Sequence, residues 1–273
     1  MCGIWCYIRH VKAEQPITDF TRYIDAIKPR GPERTKIISF NHCDYDFTLG
    51  FHRLSIMDTS VYGDQPFVYE KDGHIIYTLC NGEIYNFEYI LEKYQISDMI
   101  SHSDCEFIGE LYHKIGIEEL MKELTSEKVS GEFGLVIIDI YDNDFKIYSI
   151  RDPFGVRPLF MGHHERNLIL SSELKGIPNY FTGGQLEPRH INLYKPSNCI
   201  EHKSYYDIKI SNHVDNYDEA VKIVYDSLYE AVKSRIHSDR EIAFLLSGGL
   251  DSSIVCALGA KIAKETGQKI KTI

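Results

Sequence analysis

No run of apolar residues in this 273-residue chain approaches the roughly 18 that a membrane-spanning helix needs, so no span is expected. Basic residues are in short supply: 30 Lys and Arg face 40 Asp and Glu, a formal charge of −10. Most of that excess lies in residues 1–195, which hold 20 basic and 29 acidic side chains. Such a balance repels phosphate backbones, and a nucleic-acid partner is not expected. The chain opens without a charged leader followed by an apolar stretch, so a signal peptide is not expected either. Its seven cysteines are odd in number and lack the spacing of a disulfide framework, which fits a reducing, cytoplasmic compartment. Internal repeats and low-complexity tracts are missing. What is there is a globular composition, 43% hydrophobic and 26% charged, long enough for one large domain or two ordinary ones.

The first 195 residues read as strand-rich. Ile4–Ile8, Thr35–Asn41, Phe47–Ile56, Ile75–Cys80, Phe133–Ile140, Phe145–Ile150, Leu159–Met161 and Leu168–Ser171 mix β-branched and aromatic residues between Gly, Pro and Asn punctuation. Between them, Tyr85–Tyr94 reads as a helix, and Ser103-Asp104-Cys105-Glu106 as a capping box opening another through Phe107, Leu111 and Ile115. Strands at both ends with helices between predict a layered α+β domain. His163-His164 falls in an expected turn, and Cys43, Cys80, Cys105, Cys199 and Cys256 read as packing residues. Residues 196–215 are polar and without period, and read as a linker. Beyond them, Ala220, Ile223, Val224, Leu228, Ala231, Val232 and Ile236 mark one face of a long helix. A short strand at Glu241–Leu246, a helix at Leu250–Thr266 and another strand at Lys269–Ile273 follow, a βαβ pattern of parallel-sheet type.

Cys2 combines a thiol nucleophile with, once Met1 is removed, an α-amine of pKa near 7.7–8.0 on the same residue. Cys6 shares its strand face, but no second Cys or His pair completes a zinc site. The opening Cys2-Gly3-Ile4 is followed by Arg30-Gly31-Pro32, Phe51-His52-Arg53-Leu54-Ser55-Ile56, Asn81-Gly82-Glu83-Ile84-Tyr85-Asn86 and Ser103-Asp104-Cys105-Glu106. Then come Gly131-Glu132-Phe133, Arg151-Asp152-Pro153-Phe154-Gly155-Val156-Arg157-Pro158-Leu159 and Ser171-Ser172-Glu173-Leu174-Lys175. This set and order resemble the class II glutamine amidotransferases, and Gln65-Pro66 with the NGEIYN run resembles the glutamine-hydrolysing asparagine synthetases among them. The resemblance implies an N-terminal-nucleophile hydrolase fold, an αββα sandwich, over residues 2–195.

It also implies a site. Cys2 would attack the side-chain amide of glutamine, with its own amine moving the proton. The Asn81 side chain and the Gly82 N–H would form the oxyanion hole. Arg53 would clamp the α-carboxylate, Glu83 and Asp104 would take the α-ammonium group, and Leu54, Ser55, Ile56 and Met57 would wall the substrate. Each residue also has an ordinary reading: Arg53 as a surface strand residue, Asn81-Gly82 as a turn, Asp104 as a first-turn acid.

The apolar strand at Glu241–Leu246 feeds Ser247-Gly248-Gly249-Leu250-Asp251-Ser252-Ser253. Glycines admit a phosphate close to the backbone, and a helix N-terminus offers free N–H groups. The run is not a Walker A loop, which needs Lys before Ser or Thr. It resembles the pyrophosphate loop of ATP pyrophosphatases. That resemblance implies ATP and Mg2+, with Ser247, Gly248, Gly249, Ser252 and Ser253 on pyrophosphate, Asp251 on the metal and Leu246 on the nucleotide. Residues 216–273 would then begin an α/β ATP-binding domain.

Two departures from the family pattern stand out. Pro29 and Glu33 flank the Arg-Gly-Pro run in place of His and Asp, and a Pro-Gly turn reads Pro188-Arg189. Together the two resemblances imply an enzyme making asparagine from aspartate, glutamine and ATP through an acyl adenylate, this chain carrying the glutaminase half. A homodimer is left open. Sugar-phosphate or phosphoribosyl amidotransferases are rivals, but their partner domains do not split ATP. A β-lactam synthetase relative would lack the cysteine, and a non-catalytic paralogue would not need the Cys2, Arg53, Asn81, Gly82 and Asp104 set.

Overall fold

The computed structural model describes residues 1–14, 16–17, 19–197, 200–208 and 214–273. It divides into two compact units, Met1–Asp207 and Ile208–Ile273.

The first unit is built on two six-stranded antiparallel sheets. One contains β1 (Gly3–His10), β2 (Arg34–His42), β3 (Tyr45–Arg53), β8 (Phe160–His164), β9 (Asn167–Ser171) and β10 (Thr182–Gln185), in the order β10-β8-β9-β1-β3-β2. The other contains β4 (Phe67–Lys71), β5 (His74–Tyr85), β6 (Ser130–Tyr141), β7 (Asp144–Arg151), β11 (His190–Tyr194) and β12 (Ile200–Ser204), in the order β12-β11-β7-β6-β5-β4. Successive strand residues point to opposite faces, and both central strands are apolar on both. On β1, Ile4, Cys6 and Ile8 meet Val136, Ile138 and Ile140 of β6 in the layer between the sheets. Trp5 and Tyr7 face outward onto Ile24 of the short helix α1 (Thr21–Ala26) and the neighbouring Ile27. Leu135 and Ile137 of β6 face the other way, onto Phe87 and Ile90 of α2 (Phe87–Tyr94) and Ile108 and Leu111 of α3 (Ile108–Leu124). The result is the αββα sandwich that the resemblance implies. Each such buried Ile, Leu or Phe contributes about 1.5–3 kcal/mol, so truncating Ile138 to Ala would cost about 2–5 kcal/mol.

Several local expectations change. Tyr85 ends β5, and Asn86 takes a left-handed φ of 57° before α2. The capping box does not close. The Glu106 carboxylate accepts from the Ile100 and Ser101 N–H groups at 2.8 and 2.7 Å instead of reaching back to Ser103, and α3 begins only at Ile108. His163 and His164 lie in β8 rather than in a turn, with His164 edge-on to Tyr180 at 5.3 Å. Cys43 is exposed in a turn at φ 51°, so it is not a packing residue; Cys199 lies outside the described residues. Within the stretch read as a linker, β12 pairs with β11, and Tyr205 N–H donates to the Arg189 carbonyl at 2.9 Å. The strand escaped notice because all five of its residues are exposed and polar or singly apolar, an edge without the alternation that burial of one face would impose.

The second unit contains α4 (Tyr217–Arg235), β13 (Ile242–Phe244), α5 (Leu250–Thr266) and β14 (Ile270–Thr272). The two strands pair in parallel, Ala243 opposite Lys271. Asn216 caps α4 through its Oδ1, which accepts from Asp218 and Glu219 N–H groups. Val232, Ile236, Leu258 and Ile262 form a small core with Phe244 against it. Gly259 is required there: a Cβ would sit 2.4 Å from the Phe244 ring. Much of the expected apolar stripe on α4 is open to solvent, Val224 and Ile223 among it.

Candidate active site

Antiparallel register carries Cys2 to the end of β3, since Gly3 pairs with His52. Its Sγ lies 3.5 Å from both the N–H and the carbonyl of Leu54. The start of the chain is pinned. Arg30 Nε donates to the Cys2 carbonyl at 2.9 Å while its Nη1 pairs with Glu173 at 3.1 Å. Ile4 N–H donates to Ser172 Oγ at 2.9 Å, and Ser172 N–H returns a bond to the Ile4 carbonyl. Gly31 lets this loop touch β3, because a Cβ would stand 2.1 Å from the His52 carbonyl oxygen. With Met1 in place, burial pushes the Cys2 thiol up to about 11, the Leu54 N–H working against it and Glu83 and Cys80 adding to it. Burial also holds the Met1 amine below its ordinary value.

β5 delivers the next residues. The Gln65 side chain clasps the backbone of Cys80, accepting from its N–H at 2.6 Å and donating to its carbonyl at 3.1 Å, which fixes the strand just before Asn81. Asn81 is 1% exposed, and neither its amide nitrogen nor its oxygen has a hydrogen-bond partner among the described residues. A buried unpaired amide costs about 1–3 kcal/mol, so such a group marks a site where function outweighs stability. Gly82 lets β5 and β6 approach, since a Cβ would lie 2.0 Å from the Glu132 carbonyl oxygen.

Glu83 and Asp104 share one hydrogen-bonded pocket. Burial first, and then the neighbouring Asp104, raise Glu83 to about 9; burial raises Asp104 to about 6, against the Ile84 N–H that its Oδ2 accepts at 2.7 Å. Two carboxyls so placed hold a proton between them.

Arg53 is 4% exposed and its fork is engaged. Nη1 donates to the Ser60 carbonyl at 2.5 Å and to Asp64 at 2.8 Å; Nη2 donates to the Met57 carbonyl at 3.2 Å and to that of Asp58. Gly63 makes room for it, a Cβ there standing 2.1 Å from Nη2. The guanidinium therefore organises the loop after β3, and the structure does not present it as an open carboxylate clamp. Leu54, Ser55, Ile56 and Met57 leave β3 as loop rather than strand, bending at Ile56 and Met57, with Ser55 N–H donating to Glu33 at 3.0 Å. The acid standing in the unusual flank of the Arg-Gly-Pro run thus holds the wall beside Cys2.

In the second unit, Gly248 adopts φ +84°, a left-handed conformation that glycine takes without strain, and Gly249 caps α5. Ser252 and Ser253 donate to the Gly249 carbonyl at 3.1 and 2.7 Å, and Ser247 Oγ lies 3.0 Å from Ser252 Oγ. The loop gathers three hydroxyls, two glycine N–H groups and, in the first helical turn, Asp251. Leu246 N–H is tied to the Ile273 carbonyl at 2.8 Å, extending the β13–β14 ladder to the base of the loop.

The family model described as a glutamine amidotransferase domain matches residues 1–212, and the one described as asparagine synthase matches residues 224–273. The chain belongs to the glutamine amidotransferase domain family. A probable glutamine-hydrolysing asparagine synthetase of Acanthamoeba polyphaga mimivirus is 35% identical, covering 97% of this chain and 50% of its own length. The Gallus gallus glutamine-hydrolysing asparagine synthetase is 32% identical over 98% and 50% respectively, and an amidase of Gibberella zeae 29% identical over 97% and 44%. The chain thus spans about half the length of the curated relatives it matches. Among solved structures, the glutamine phosphoribosylpyrophosphate amidotransferase of B. subtilis superposes with a TM-score of 0.59 at 18% identity, covering 99% of this chain and 65% of that one. That likeness is one of fold.

Within this amidotransferase domain one residue of the pocket went unassigned by sequence reasoning. Arg157 is close enough to Glu83 and to the Met1 amine for its charge to lower both, and its Nη2 lies 3.8 Å from Glu132. The signal was the Arg151–Leu159 run. Arg151 donates to the carbonyls of Gly155, Arg157 and Leu186, and Asp152 accepts from the N–H groups of Phe154, Val156 and Arg157. That knot aims Arg157. Arg189, in place of the family's glycine, takes the left-handed φ of 65° itself.

Proposed function

We propose that this chain hydrolyses glutamine through Cys2, and that its second unit opens the site in which the released ammonia is used. The observation that carries the reading is Asn81, a buried amide with both polar atoms unpaired on the strand whose neighbours Cys80 and Glu83 bear on the Cys2 thiol. A developing oxyanion supplies what its Nδ2 lacks, with the Gly82 N–H as second donor. Cys2 Sγ attacks the amide carbon while the Cys2 amine, freed by loss of Met1, takes the thiol proton and delivers it to the leaving nitrogen. Ammonia departs, a γ-glutamyl thioester remains, and water cleaves it to glutamate. The Glu83–Asp104 pair receives the α-ammonium group, whose charge offsets the burial that raises both carboxyls and the Asp104 repulsion that adds to it at Glu83. In this scheme the α-carboxylate reaches Arg53 by displacing the carbonyls of Met57 and Asp58 from Nη2.

The curated relatives named as glutamine-hydrolysing asparagine synthetases support aspartate as the acceptor and ATP with Mg2+ as the activating pair. The hydroxyls of Ser247, Ser252 and Ser253 with the N–H groups of Gly248 and Gly249 fit a pyrophosphate. Asp251 would take the metal and Leu246 would lie along the nucleotide. Bound there, ATP supplies the leaving group that makes a carboxylate reactive toward ammonia. Met1-free protein should hydrolyse glutamine, and the same protein carrying an uncleavable residue ahead of Cys2 should not. Equal turnover by both forms would overturn the amine's role.

A further inference from the structure

Glu187, His190 and His202 stand together on β11, β12 and the turn before them, and one ligand atom from each lies within 4.8 Å of the others. Asn192 pairs with His202 across the two strands, which places His190 diagonally beside it on the same face. The two imidazoles stack 4.1 Å apart and 7° from parallel.

Hydrogen bonds settle which nitrogen of each ring keeps its lone pair. Asn192 Nδ2 donates to the Ser149 carbonyl at 3.0 Å, so its Oδ1 faces His202 and must accept from Nδ1–H at 2.7 Å. His190 Nδ1 lies 2.8 Å from the Pro188 carbonyl, which can only accept. Both rings therefore carry their proton on Nδ1 and a lone pair on Nε2. The Glu187 carboxylate lies 3.6 Å from His202 Nε2 and 3.7 Å from His190 Nδ1. A ring whose second nitrogen donates to a carbonyl or amide oxygen is how metal-binding histidines are held.

We propose that Glu187, His190 and His202 bind a divalent transition-metal ion of the zinc class through two imidazole Nε2 atoms and a carboxylate, with water completing the shell. Ligand atoms on one tetrahedral zinc lie about 3.3 Å apart, from metal–ligand distances near 2.0–2.1 Å. Closing to that spacing requires the His190 ring, now parallel to His202, to turn out of the stack and Glu187, its side chain 70% exposed, to follow it. The ion would clip β12, a solvent-exposed edge strand, onto β11 and the Pro188-Arg189 turn.

Calorimetry of the full chain with Zn2+, and the visible spectrum with Co2+, test this. One equivalent should bind, with the Co2+ spectrum of a nitrogen–oxygen site and no thiolate charge-transfer band. Zn2+ should raise the melting temperature of the wild type and leave that of His202→Ala unmoved. His202 is exposed, so that variant should fold. Asn192→Ala, which frees the His202 ring, should weaken binding on the order of 10–100-fold. Unchanged affinity in His202→Ala, or a thiolate band in the wild type, would overturn the assignment.

Discussion

Replacing Asn81 by Ala separates catalysis from stability in one variant. In the folded protein the Asn81 amide is buried and has no partner among the described residues, whereas in the unfolded chain water satisfies it. Folding therefore costs about 1–3 kcal/mol at this group alone. The substitution removes that cost and leaves a cavity of about 40 Å3, worth about 1 kcal/mol at the usual 24 cal/mol per Å3. The net change should fall between neutrality and about 2 kcal/mol of stabilisation, where most buried substitutions destabilise. Loss of an oxyanion donor should meanwhile lower kcat for glutamine hydrolysis about 10²–10³-fold. Urea unfolding and a glutamate-release assay on the same preparation read both quantities. A variant destabilised by more than about 2 kcal/mol would mean that the amide is paired and structural, and undiminished turnover would remove it from the reaction.

The Glu83–Asp104 pair predicts a pH dependence of stability. Both carboxyls have folded-state values above their ordinary ones, so the folded chain binds more protons than the unfolded one between about pH 4.5 and 9 for Glu83. Their contribution is full at low pH and is lost as pH rises through that window; Glu83→Gln should flatten the fall and stabilise the protein near pH 8, as thermal melts across pH would record. Arg53→Lys should raise KM for glutamine and speed chymotryptic cleavage at the exposed Tyr62 of the loop after β3, because lysine cannot span three carbonyls and Asp64 at once; the loss should be on the order of 2–5 kcal/mol in kcat/KM. An unchanged KM with an intact loop would make that fork dispensable.

Much of the site was legible because its chemistry resides in residue types that few other roles demand. A second-position cysteine and an Asn-Gly pair point to a task only in company with the other runs in their order, whereas the Ser-Gly-Gly-Leu-Asp-Ser-Ser run points to one by itself. Strands were legible where burial on both faces made them continuously apolar, as in β1 and β6. What stayed hidden depended on partners remote in sequence. That Arg53 grips Asp64 and the carbonyls of Met57, Asp58 and Ser60 follows from the path of the loop after β3, which its composition does not dictate. Glu106 looked like half of a capping box because spacing cannot reveal that Ile100 and Ser101 N–H groups arrive first. β12 carries no period, being exposed along its length, and the histidine pair becomes a pair only through the β11–β12 register.

The most direct test of the central claim is to quench Met1-free protein during glutamine turnover and examine its N-terminal peptide by mass spectrometry. A γ-glutamyl adduct on Cys2, absent in Cys2→Ala together with all glutamate release, is the predicted result. Sustained hydrolysis by Cys2→Ala would contradict it.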